Sequence, residues 1–297
     1  MKKRFAGILL SLAIAALTGC SSNASSNKES ITIGSKNFTE NIILAHLMAD
    51  VIEDKTNLNV VRKVNLGGSN VAWKALLNND IQLYPEYTGT IVANYYQEKT
   101  GTADETLQKA RDLLKKDKLV FTNKFGFNNT YTLAVTQETA QKYNLKTFSD
   151  LAKVSGGLLL GCEFEFKDRP DGYPGLDKQY GMKFKEVKGM DHGIMYRSLT
   201  EKNVDVIDAY STDGQIKVNH LTVLQDDKNF FPPYHAGPLV REDVLNKYPD
   251  VGKALNSLEN KLNESVMQDL NAQVDMDGMK AEDVARNFLI KQGIIKK

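Results

Sequence analysis

Cysteine is nearly absent. The 297-residue chain has only Cys20 and Cys162, so no disulfide framework organises it. Histidine is scarce as well, and none of His46, His192, His220 and His235 stands at the H-x-x-x-H spacing of a metal-binding pair, so no metal site is expected. His46 falls on the apolar face of a helical pattern, where a core histidine is a simpler reading than a ligand. There is no G-x-S-x-G elbow, no P-loop and no dinucleotide fingerprint, which leaves catalysis without a visible nucleophile and base and gives no reason to expect a cofactor. Neither sign of charge dominates: 38 Lys and Arg are mixed among 37 Asp and Glu. That balance excludes the basic patch a nucleic-acid partner would need.

The longest apolar run lies at the N-terminus. Lys2, Lys3 and Arg4 precede an apolar core from Phe5 to Leu17, so residues 1–19 read as an export signal, too short for a membrane span of roughly 20 apolar residues. "LTGC" then resembles the bacterial lipoprotein processing box, which makes Cys20 the lipidated first residue of the mature chain. Residues 20–30 form a polar tether with nothing to bury. Cys162, left without a partner inside "LLLGCEFEF", reads as a small buried side chain rather than a reactive thiol. Roughly 270 residues remain, more than one ordinary core holds, so two lobes are expected.

Strand and helix signals alternate from the start of this region. Ile31–Gly34 reads as a strand, then a helix capped by Thr39 carries Ile42, Ile43, His46, Leu47, Val51 and Ile52 on one face. "NLNVVRKVNLGG" gives a second strand, and Ser69 caps a second helix. A third strand runs into "YPEYTGT". This order predicts a parallel sheet whose ligand crevice lies at the carboxyl ends of its strands, rimmed by the turns at Lys36, Gly67 and Tyr87. Later segments repeat the pattern, with a strand over Val204–Ala209 placing Tyr210 just beyond its end.

Tyrosines mark several of these turns. The segment Asp80–Tyr96, "DIQLYPEYTGTIVANYY", holds four of them around Gly89. Tyr87, Tyr131, Tyr173, Tyr210 and Tyr234 follow a strand, begin one or sit in a turn; Tyr143, Tyr180, Tyr196 and Tyr248 fall in helical patterns and read as packing or surface residues. For a single tyrosine, packing with its hydroxyl at the surface is the simpler reading.

Six motifs taken in order, "GSKNFTE", "YPEYTGT", "NNTYTLAV", "DRPDG", "DAYSTDG" and "FFPPY", make the chain resemble the substrate-binding lipoproteins of osmoprotectant ABC importers of the ProX and OpuC type. The resemblance implies an α/β, two-lobed, periplasmic-binding-protein-like fold of type II, with the ligand cleft between the lobes and a hinge of two chain crossings. Lobe I would comprise 31–127 and 231–297, and lobe II 128–230. It implies no enzyme activity. It implies a quaternary ammonium ligand held in a box of Tyr87, Tyr131, Tyr210 and Tyr234, with the ligand carboxylate at Lys36, Thr90 and Arg169 and a backbone contact at Asn129. The partners implied are an ABC permease and, through it, an ATPase. The protein would be a lipid-anchored monomer on the outer face of the cytoplasmic membrane.

The chemistry suits these residue types. A trimethylammonium group has no N–H to donate and spreads its charge over methyls, so aromatic faces suit it, at about 0.5–2 kcal/mol per ring. Gly89 is expected to let the backbone bend between Tyr87 and Thr90. Two buried cations would be costly alone, so Lys36 and Arg169 in a cleft point to an anionic ligand group. The residues alone also allow Lys36 as a solvated turn lysine and Arg169 in a loop salt bridge with Asp168 or Asp171. Glycine betaine, proline betaine and carnitine fit the two-ended site; ergothioneine shares its logic, and choline lacks the carboxylate. An enzyme acting on choline-like substrates and a structural lipoprotein are the rival classes.

Overall fold

The structure, a computed structural model, describes residues 29–296. The export signal, Cys20 and the tether up to residue 28 lie outside the described residues. Ser30, expected in the tether, already pairs with Asn59 as the first residue of β1.

In the first half of the chain, β1 (Ser30–Gly34), β2 (Asn59–Lys63) and β3 (Leu83–Tyr87) are linked by helices α1 (Thr39–Lys55) and α2 (Ser69–Leu77). β1 lies parallel to β2 and β3, as strands joined by helical crossovers must. Beyond this unit the sheet is mixed rather than parallel. β10 (Ala236–Arg241) enters from the far end of the chain between β3 and β4 (Leu119–Phe121), antiparallel to both, to give the order β2-β1-β3-β10-β4.

The second sheet repeats this plan. β6 (Leu159–Glu163), β7 (Glu186–Met190) and β8 (Val206–Tyr210) are parallel. β5 (Tyr131–Val135) is antiparallel to β8 and to β9 (Thr222–Leu224), and the order is β7-β6-β8-β5-β9. Together the two sheets and their helices make the α/β fold expected of the type II binding proteins. The chain passes between the sheets twice, after β4 and after β9, and the passages lie side by side: Asn128 bridges His235, and the Asn129 N–H donates to the Tyr234 carbonyl at 3.0 Å. A C-terminal helix, Glu264–Asp275, also reaches the second sheet's side, where Asn271 Nδ2 donates to the Thr212 carbonyl at 3.0 Å.

Helix α1 is buried nearly all round, with Ile43, Leu44, Leu47, Met48, Val51 and Ile52 fully covered. Its apolar stripe is wide because helices Pro249–Asn256 and Ala281–Lys291 pack across it, contacts that no local pattern encodes. Both expected caps shift by one residue. Phe38 and Gly68 occupy the cap positions. Thr39 and Ser69 begin the helices instead, and their hydroxyls are engaged with Asp275 and Glu165. Among the described residues, no helix is long and apolar enough to cross a membrane.

Candidate functional site

Strand ends set the site. Tyr87 closes β3 and is the register partner of Ala236 in β10, so Tyr234, two residues earlier, comes alongside Gly89, two residues beyond Tyr87. Tyr131 opens β5 directly opposite Tyr210, the last residue of β8 rather than the residue after it. Directly paired residues of antiparallel strands point to the same face. The two rings accordingly meet at 5.0 Å between centroids, and Tyr234 stands edge-on to Tyr131 at 5.6 Å and 82°. These four tyrosines line one narrow cavity, with about 270 Å³ of empty space when its open mouth is included. Lys36, Thr90, Asn129 and Arg169 line it too. Every residue expected in the site is thus brought to one place, with both sheets contributing. Tyr173 is not among them: it begins a helix and packs toward Phe184 at 6.0 Å.

Three further lining residues escaped the sequence reading: Phe38, Ser69 and Glu165. Phe38 lies within "GSKNFTE" and links the rings of the two sheets, 6.2 Å from Tyr87 and 5.1 Å from Tyr210. A second layer of buried carboxylates was also missed. Tyr87 donates to Glu40 at 2.6 Å, Tyr234 to Asp171 at 2.7 Å, and Tyr210 to Glu163. Burial, with these carboxylates close by, pushes all three phenols well above their usual range. They stay protonated as donors, which fixes the rings, and the negative charge behind each makes its inner face more attractive to a cation.

Glu40 connects the two halves. It accepts from Asn129 Nδ2 at 2.8 Å and from the Thr212 hydroxyl at 2.6 Å as well as from Tyr87. Burial raises its pKa against the pull of those hydrogen bonds.

The two site cations are already paired. Lys36 Nζ lies 2.6 Å from Glu86, a carboxylate that is itself fully buried. Arg169 binds Asp171 through Nε at 2.8 Å and Nη2 at 2.6 Å, and Glu165 through Nη1 at 3.2 Å. Their burial therefore does not call for an anionic ligand, because the protein supplies three carboxylates of its own, Glu86, Asp171 and Glu165. Lys36 is not a solvated turn lysine, and Arg169 both forms the salt bridge to Asp171 and lines the cavity. Burial opposes ionisation of Asp171, yet the Arg169 charge outweighs it and holds the carboxyl below its usual range. Arg169 Nη2 still points toward Thr90 Oγ1, at 3.4 Å.

Thr90 opens a π-helical turn, Thr90–Tyr95, a feature often found where function distorts a helix. Gly89 does not serve as a bend. Its φ of −63° and ψ of −41° suit any residue. What it provides is space: a Cβ there would lie 2.7 Å from the Tyr234 ring and 2.8 Å from the Pro233 carbonyl. Gly89→Ala should therefore displace Tyr234 and weaken ligand binding by roughly ten-fold or more, with a stability cost of about 1–3 kcal/mol, readable by titration and by denaturant melts.

His192 was another miss, since the sequence marks it only as a histidine without the spacing of a metal pair. Its ring stacks on Tyr210 at 4.8 Å and 15°, between Glu163 at 3.3 Å and Asp213 at 3.2 Å. Burial opposes its charge, but these carboxylates raise its pKa well above 6.5. The fold thus binds the imidazolium: that stabilisation is complete below about pH 6.5 and is lost as pH climbs through the folded value. The melting-temperature gap between the wild type and His192→Phe should be widest in acid and narrow in alkali.

Elsewhere, His46 is buried on α1 and burial lowers its pKa, in keeping with a core histidine. Cys162 is fully buried in β6, where desolvation pushes its thiol up and keeps it unreactive. Of the tyrosines near the site, Tyr84 is fully buried with its hydroxyl on Glu86 at 2.8 Å, and Tyr95 stacks on Trp73 at 4.3 Å.

The family described as the substrate-binding domain of ABC-type glycine betaine transport systems matches residues 29–291. The chain belongs to that family. It is therefore a substrate-binding component of a transporter, a family of binding proteins and not of enzymes. It is 35% identical to the carnitine transport binding protein OpuCC of Listeria monocytogenes, over 98% of this chain and 97% of that protein. It is 38% identical, over 89% of its length, to the ergothioneine transport permease/ergothioneine binding protein EgtU of Helicobacter pylori, and spans about half (48%) of that longer protein. A solved glycine betaine/carnitine/choline ABC transporter structure superposes with a TM-score of 0.71 at 35% identity, covering 91% of this chain and all of the other.

Proposed function

We propose that this member of the family captures a betaine: a small zwitterion whose trimethylammonium group sits among Tyr87, Tyr131, Tyr210 and Tyr234 and whose carboxylate lies toward Arg169, Thr90 and Lys36, with Asn129 contributing a backbone contact. The observation that carries this reading is the convergence on one cavity of four tyrosines, three at strand ends of the two sheets and Tyr234 just before β10, three of their hydroxyls tied to buried carboxylates. Residues 31–127 with 231–297 form one lobe and 128–230 the other, hinged at the paired crossings. Ligand draws the lobes together, and the closed form is what the permease, coupled to its ATPase, accepts. Cys20 carries a lipid anchor that keeps a monomeric protein on the outer face of the cytoplasmic membrane.

Calorimetric titration with glycine betaine, carnitine, choline and ergothioneine tests the reading. Saturable binding of a carboxylated betaine ahead of choline is expected. No heat with any of the four, or turnover of a quaternary amine, would overturn it.

A further inference from the structure

Tyr210 lines the ligand cavity and His192 does not, so the imidazole, stacked at 4.8 Å and 15°, covers the face of that ring turned away from the ligand. Two acids that hold Tyr210 also fix His192. Asp213 accepts from His192 Nε2 at 3.2 Å through one oxygen, and through the other from the Tyr210 N–H at 2.7 Å and the Tyr196 hydroxyl at 2.5 Å. Glu163 accepts from the Tyr210 phenol through one oxygen and faces His192 Nδ1 at 3.3 Å through the other, in a geometry that makes this contact an ion pair and not a hydrogen bond. The other titratable groups around the imidazole are Asp191 and Tyr196 of its own helix, Asp208 buried in β8, and Asp275 at the end of helix Glu264–Asp275. Burial, with Glu163 beside it, lifts Asp208 well above the usual carboxylate range, and burial raises Asp275 as well. Glu163 and Asp213 are left as the partners of the imidazolium.

We propose that His192 is a positioning residue that regulates capture through Tyr210: its imidazolium sets a second cation on the ring that holds the ligand's, and on losing its proton it lets that ring bind a quaternary ammonium more tightly. This inference rests on the betaine reading above. Two cations on opposite faces of one ring lie on the order of 10 Å apart, near enough in a desolvated site for their repulsion to change affinity about ten-fold. Loss of the proton acts twice in the same direction. It removes the competing charge, and it frees Glu163 to act on the phenol alone. Lys36 and Arg169 also lie over site rings, 5.1 Å from Tyr87 and 5.4 Å from Tyr131, but both line the cavity themselves, whereas His192 reaches the ligand only through Tyr210. Because its carboxylate partners raise the imidazole's pKa well above 6.5, the change falls on the alkaline side of neutrality and affinity climbs with pH.

Calorimetric titration with glycine betaine from about pH 7 to about pH 10, on the wild type and on His192→Gln, tests this. Glutamine keeps an N–H donor for Asp213 without the charge. The variant should bind about ten-fold more tightly than the wild type near neutrality, a gain that a merely supporting ring would not give, and the gap should close as wild-type affinity rises with pH. Binding and protonation are reciprocal, so saturating glycine betaine should lower the NMR titration midpoint of His192 in the wild type by about one pH unit, a reading that needs no variant. A folded variant that binds no more tightly than the wild type near neutrality, or a midpoint that the ligand leaves unmoved or raises, overturns the inference, while saturable wild-type binding keeps the betaine reading standing. A wild type that binds no glycine betaine at any pH overturns both.

Discussion

Tyr210→Ala is expected to weaken binding of a trimethylammonium ligand by about 100-fold in calorimetric titration, or nearly 3 kcal/mol. The Tyr210 ring is the hub of the cavity's aromatic wall, 5.0 Å from Tyr131, 5.1 Å from Phe38 and stacked on His192 at 4.8 Å. Its removal deletes one cation–π face and the apolar contact it makes with the methyls, and it takes a neighbour from three rings, those of Tyr131, Phe38 and His192. It also strips Glu163 of its phenol donor, so the His192 imidazolium becomes that carboxylate's main partner. Tyr210→Phe separates these effects. The ring stays while the hydroxyl goes, so affinity should fall only a few-fold and the loss should appear mostly in stability, at about 1–3 kcal/mol for the bereft buried carboxylate. Tyr87→Ala should resemble Tyr210→Ala, since its hydroxyl is one of the bonds holding Glu40 between the halves. Undiminished affinity in both alanine variants would remove these rings from the site.

The tyrosines were legible in the sequence and their supports were not, for a physical reason. An aromatic at a strand end beside a turn stands out because strands place their ends at clefts. Glu86 does not stand out, although every residue of β3 is buried and a carboxylate there demands a partner. That partner, Lys36, is fifty positions away, and nothing local announces the pair. Glu40 and His192 stand in the first turns of their helices, and both are defined by groups from other elements. The same limit applies to the sheets. The βαβ rhythm revealed the parallel strands, but the antiparallel placement of β10 and β5 is decided by long-range pairing that periodicity cannot encode. Gly89 is needed for a reason other than the expected bend, since the constraint is the Tyr234 ring packed against it and not the glycine's own dihedral angles.

Arg169→Ala should produce the largest loss of stability of any single change in the cavity, about 3–5 kcal/mol, because it leaves Asp171 and Glu165 facing each other's charge without a cation between them. Asp171 then loses the interaction that depresses its pKa. In the wild type that stabilisation is present above the carboxyl's unfolded pKa and disappears as pH falls through its lower folded value. The variant should therefore lose less stability than the wild type on acidification. Ligand preference should move independently of this. With the guanidinium gone, a carboxylated ligand faces Asp171 and Glu165 uncompensated and keeps only Lys36 and Thr90 at that end, whereas choline presents no charge there, so the advantage of glycine betaine over choline should fall by about ten-fold or more. Adding Asp171→Asn distinguishes the two effects. The double variant removes the uncompensated charge and should recover much of the stability, while the altered preference persists because no donor has been restored. If the double variant instead regains the preference for glycine betaine, Arg169 does not grip the ligand's carboxylate, and its place in the cavity is that of a brace for Asp171 and, through it, for the Tyr234 ring.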